Sequence, residues 1–91
     1  MNEKFHKPGP NRVSSVEGFT VALDIMGGVE YSDATGTTNV DSEVLNTPPL
    51  YSIALYTESL GLKDMPASRA EEILSNITGA LEYLGYRVER F

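Results

Sequence analysis

Cysteine is absent from the chain, and histidine occurs once, at His6. No disulfide framework, thiolate metal site or cysteine nucleophile can therefore be built, and no oxidising compartment is required. With its one histidine so close to the N-terminus, the chain cannot assemble the usual nucleophile–base pairs. The phosphate-cradling G-x-x-x-x-G-K-[ST], the zinc-binding H-E-x-x-H and the G-x-S-x-G elbow do not occur either. An enzyme is not expected, nor a cofactor or metal. No apolar run approaches the ~18 residues that span a bilayer. "MNEKFHKPGPNRVSS" has no apolar segment after its basic residues, so a signal peptide is not expected. The expectation is a cytoplasmic protein that does not engage membranes.

Positive charge is also scarce: seven Lys and Arg stand against 13 Asp and Glu. Lys4, Lys7 and Arg12 fall within the first twelve positions. From Val13 onward four basic residues oppose twelve acidic ones, about −8 in all. A body so charged repels phosphate backbones, which argues against direct nucleic-acid binding. It attracts a basic protein and speeds encounter with it. Acidity also serves plain solubility, and composition does not separate these two readings.

Residues 1–15 hold Pro8, Gly9 and Pro10 without an apolar period, and are expected to form a disordered tail. Residues 16–91 are then a single α+β domain. "FTVALDIM" places Phe19, Val21, Leu23 and Ile25 on one face and Thr20, Ala22, Asp24 and Met26 on the other, the period of a half-buried strand. Gly27-Gly28 makes a turn, Val29 and Tyr31 resume the alternation, and "SDATGTT" reverses the chain again. Val40 and Val44 mark a third strand, ended by "NTPP". "LYSIALYT" is a fourth, apolar on both faces.

The helix has the strongest signature. Ala70, Ile73, Leu74, Ile77, Leu81 and Leu84 form one stripe, Ser68 and Glu71 a capping box, and Gly85 a left-handed stop. Gly79 within it suggests a close approach to the sheet, and "YRVERF" supplies a short last strand. The expected architecture is an antiparallel β-meander of about four strands, with one C-terminal amphipathic helix packed on one face.

One stretch, "VEYSDATGTTNVDSEV", invites a ligand reading. Asp33 is followed by Ala and Thr, and the next acid comes eight residues later, so the alternating oxygen ligands of a calcium loop are missing. It opens no helix and carries no Lys or Arg, so phosphate is disfavoured. Hairpin chemistry accounts for it. The residues of interest lie on the face away from the helix: Asp24, Glu30, Asp41 and Glu43, joined by Tyr56 and Glu58. A tyrosine among carboxylates on a rigid sheet suits a basic protein surface. Such acids also suppress edge-to-edge aggregation.

The run "VEYSD…VDSEVL…PPLYSIALYTESL…PASRAEEILSNITGALEYLGYRVE" resembles small immunity-type proteins of bacterial polymorphic toxin systems. Ile53, Leu55, Tyr56 and Ser59 match a strand motif I-x-L-Y-x-x-S. Arg69, Ile73, Leu74, Asn76, Ile77, Ala80 and Leu81 match a helix motif, and Gly85, Val88 and Glu89 a closing strand. The resemblance implies a non-catalytic immunity or inhibitor protein that neutralises a cognate toxin or nuclease by steric and electrostatic occlusion. The alternative is a homo-oligomeric structural or phage-type accessory protein, a homodimer for instance, assembling through a sheet edge such as the last strand.

Overall fold

The computed structural model of the protein describes residues 5–9, 11–24, 28–46 and 52–91. Among these, the elements in chain order are β1 (Phe5–Gly9), β2 (Arg12–Ser15), β3 (Thr20–Asp24), β4 (Gly28–Asp33) and β5 (Gly36–Val40). There follow β6 (Ser42–Asn46), β7 (Ser52–Leu55), α1 (Leu60–Lys63), α2 (Ala67–Tyr83) and β8 (Arg87–Arg90). The class is α+β, as expected. The strands form two sheets: an antiparallel meander ordered β1-β2-β3-β4-β5, and a three-stranded sheet ordered β6-β7-β8.

The expected N-terminal tail is corrected over its described part, since Phe5–Gly9 and Arg12–Ser15 are strands of the large sheet. Gly9 pairs with Arg12, and Asn11 turns the chain at φ 58°, a left-handed conformation that Asn tolerates. Phe5 anchors the strand from one side. Its ring meets Phe19 edge-on at 6.1 Å and Tyr83 of α2 at 5.5 Å. Val13 is fully buried. Two apolar residues so far apart give no periodic signal, yet they are enough to dock a hairpin whose backbone pairs with β3. The domain therefore includes part of the segment assigned to the tail. Lys7 and Arg12 belong to the folded body, which is less acidic than the −8 reckoned from Val13 onward.

The core forms as the alternation requires. Phe19, Val21, Leu23, Val29, Tyr31 and Val40 of the large sheet are buried, against Ile73, Leu74, Ile77, Ala80 and Leu81 of α2. Ile25, Met26 and Gly27 lie outside the described residues, as do Pro48 and Pro49. Gly79 faces the Phe5 ring, where a Cβ would sit at 3.4 Å in ordinary van der Waals contact, so a helix-to-sheet approach that requires glycine is not seen there. At the helix end, Gly85 (φ 101°) donates to the Glu82 carbonyl and Tyr86 to the Leu81 carbonyl, a Schellman stop.

The start of the helix differs from expectation. Pro66 is the N-cap and no side chain caps the first turn, so Ser68 and Glu71 do not form a box. The N-cap lies two residues before the Ser that a box would need in that position. Glu71 instead accepts from Arg90 Nη1 at both carboxylate oxygens, 2.7 and 3.0 Å, tying β8 to the helix.

The expected third strand divides. Thr37 and Thr38 are paired in β5 rather than in the turn, and Val40 and Val44 stand in different sheets. Val29 pairs with Val40 in one sheet, while Val44 pairs with Ile53 in the other. Asp41 is the hinge between them. β7 then joins β8 in parallel through the α2 crossover.

Candidate functional site

Register decides which side chains share the face turned away from α2. On the large sheet, Arg12 pairs with Ala22, Ala22 with Glu30, and Glu30 with Asn39, so these four form one cross-strand row. Asp24 lies in the next row, opposite Gly28. Asp24, Glu30, Arg12 and Asn39 surround a shallow depression of about 260 Å³. Arg12 thus contributes a cation to a face whose expected charges were all carboxylates.

Gly28 explains how that face continues. Its φ of 97° and its packing leave no room for a side chain, since a Cβ would lie 2.8 Å from the Val40 carbonyl oxygen and 3.6 Å from Asp41 Cα. Asp24 and Asp41 therefore flank a residue with no side chain. Asp41 fixes the transition by its backbone: its N–H donates to Ser59 Oγ (2.8 Å) and its carbonyl accepts from Tyr56 N–H (2.9 Å). Its carboxylate is exposed.

Beyond that point the outer face belongs to the small sheet. Glu43 on β6, Ser52 and Ala54 on β7, and Arg87 and Glu89 on β8 share it, as alternation and pairing dictate, while Leu45 sits at a bulge between Val44 and Asn46. Tyr56 Oη donates to Glu43 at 2.8 Å. That bond, with lesser contributions from burial and the carboxylate charge, raises the Tyr56 phenol above its ordinary value. The Phe91 ring packs 6.1 Å from the Tyr56 ring and is 62% exposed, and Leu45 is 40% exposed. Glu58 is exposed in the turn that follows β7. Of the six residues singled out from sequence, Glu43 and Tyr56 are in direct contact. Asp24 and Glu30 belong to the other sheet, reached across Gly28 and Asp41. Phe91 and Leu45 were missed. Leu45 falls at a bulge that alternation does not foresee, and Phe91 joins only through the parallel crossover.

A second polar cluster joins the β4–β5 turn to α2. Asp33 accepts from Thr35 N–H (2.8 Å), Thr35 Oγ1 (2.6 Å) and Tyr31 Oη (3.0 Å). Arg69 donates to Asp33 at 2.5 Å and to Thr35 at 2.7 Å, and pairs with Glu72. Asn76 of α2 donates to Tyr31 Oη at 3.0 Å. The Thr35 hydroxyl and the Arg69 guanidinium hold the Asp33 carboxyl well below the usual carboxylate range. Burial pushes the Tyr31 phenol up. A permanent anion, a permanent cation and a neutral phenol offer no proton transfer near neutral pH. What they do is latch the turn to the helix.

Among the described residues no group of three or more His, Asp and Glu is arranged to hold a metal ion. No helix among them is long and apolar enough to cross a membrane. No family model matches the chain, and neither a curated protein nor a solved structure does so.

Proposed function

We propose that this chain is a non-catalytic protein-binding module that neutralises a cognate basic bacterial toxin or nuclease. The contact surface would run from Asp24 and Glu30 across Asp41 to Glu43, Tyr56 and Glu58. The observation that carries this reading is the outer face of the small sheet. There an aromatic pair, Tyr56 and the exposed Phe91, lies beside Glu43, and the exposed Leu45 follows on the same strand as Glu43. Aromatic and apolar anchors rimmed by carboxylates match the composition of interface centres that receive Lys and Arg. The net charge of −6 supports long-range attraction of such a partner. The resemblance of the strand, helix and closing-strand motifs to immunity-type proteins supplies the toxin.

The test uses a basic toxin or nuclease encoded beside this chain's gene. Co-expression should rescue growth, and titration of the purified pair should give an affinity that weakens with salt. Asp41→Lys combined with Glu43→Lys should lower that affinity by roughly tenfold to a hundredfold while leaving thermal unfolding unchanged. Unchanged affinity removes the acidic face from the reading. Failure to rescue removes the function.

A further inference from the structure

β8 is the last strand of the small sheet, with β7 on one side and no described strand on the other. Phe91 donates its N–H to Leu55 and accepts from Thr57 through its carbonyl, so its backbone faces β7. By strand alternation the backbone groups of Arg87 and Glu89 do the same. Those of Val88 and Arg90 then point to the open edge. On the outer face Arg87 and Glu89 are both exposed, and neither makes an ion pair among the described residues.

We propose that the occupant of this edge is the β8 of a second copy, paired antiparallel about a two-fold axis at Val88. With Val88 opposite the partner's Val88, both residues present their free N–H and C=O to each other as a hydrogen-bonded pair. Arg87 then faces the partner's Glu89, and Glu89 the partner's Arg87. These are the non-hydrogen-bonded positions, where side chains stand closest and opposite charges stabilise a sheet. The sequence Arg-Val-Glu is self-complementary in this register, as an isologous contact demands. Shifting the axis to Arg90 would set Glu89 opposite the partner's Phe91 and lose the charge pairing. Three charged residues in a four-residue edge strand normally discourage pairing. Here their order suits one pairing, with a copy of the same strand. The product is a six-stranded sheet that displays two copies of the Tyr56–Phe91 surface. Four residues per chain bury little area, so the dimer is weak and its population follows concentration.

Sedimentation equilibrium or light scattering across a concentration series tests this on the intact chain. The expected result is a monomer–dimer equilibrium that is populated by on the order of 100 μM. Glu89→Arg sets like charges opposite one another in both outer pairs, and should weaken dimerisation by tenfold or more. Arg87→Glu combined with Glu89→Arg exchanges the charges and should restore it. The double variant also shows that a loss in the single one does not come from misfolding. A monomer at every concentration, the edge then being open to a strand from another protein, overturns the proposal. So does a dimer indifferent to Glu89→Arg, or a double variant that stays monomeric.

Discussion

Replacing Arg69 by methionine removes the guanidinium and keeps most of the side-chain volume. In the folded protein Arg69 bonds Asp33 at 2.5 Å and Thr35 at 2.7 Å, and pairs with Glu72. Glu72 is 58% exposed, so that pair contributes little. The Asp33 side chain is 14% exposed and that of Arg69 28%, which makes their bond the important one. A charge-assisted hydrogen bond contributes about 1.5–3 kcal/mol. Residual exposure reduces the expected loss to about 1–2 kcal/mol, equivalent to a fall in Tm of roughly 4–15 °C for a domain of this size. The pH dependence gives a second check. The Asp33 carboxyl is depressed below its ordinary 3.8, so its stabilisation is present above that value and is lost as pH falls toward the folded-state value. The variant keeps the Thr35 contribution and loses that of Arg69. The difference between the two proteins, measured by urea unfolding, should therefore narrow from pH 7 to about pH 2. A loss under about 0.5 kcal/mol, or a difference that does not change with pH, refutes the account of the latch.

Gly28→Ala should destabilise the fold by about 2–3 kcal/mol in chemical denaturation, because an L side chain there is both strained and in collision with the Val40 carbonyl. Recovery of full stability would show that the two sheets are not held in close approach at this point. Phe5→Ala should cost about 1.5–3 kcal/mol, less than for a fully buried ring, since Phe5 is half-buried against Phe19 and Tyr83. An unchanged unfolding midpoint would return the N-terminal segment to the tail that its composition suggests.

Much of the fold was legible because periodicity is local. The α2 stripe, the alternation of Phe19, Val21 and Leu23, and the Gly85 stop depend on residues a few positions apart. All three are present as expected. What sequence did not reveal depends on distant pairing. The β1–β2 hairpin is held by Phe5 against Phe19 and Tyr83, and by Val13 beneath the sheet. Nothing within residues 1–15 identifies those partners. The capping box failed because the helix starts at Ala67, which puts Ser68 inside its first turn, and Glu71 pairs instead with Arg90, nineteen positions away. Nor does anything near Arg69 in sequence identify its partner Asp33, thirty-six positions earlier.

The candidate face shows the same division at the level of one residue. Alternation placed Asp41 and Glu43 together on the side away from the helix, and they do share that parity. It could not show that the chain changes sheets between Val40 and Ser42, because a strand that leaves one ladder for another keeps its side-chain alternation. The change follows from competition for the Asp41 backbone. Gly28 brings β4 up against it from one sheet, while Tyr56 N–H and Ser59 Oγ claim its carbonyl and amide for the other. Ser59 is buried, and its hydroxyl donates to the Tyr56 carbonyl while accepting from Asp41. One serine thus positions both Asp41 and the strand end that carries Tyr56. The spacing between the carboxylates and the aromatic pair is therefore set by the junction of the sheets, and a partner that reads both must match the angle of that junction as well as its charge.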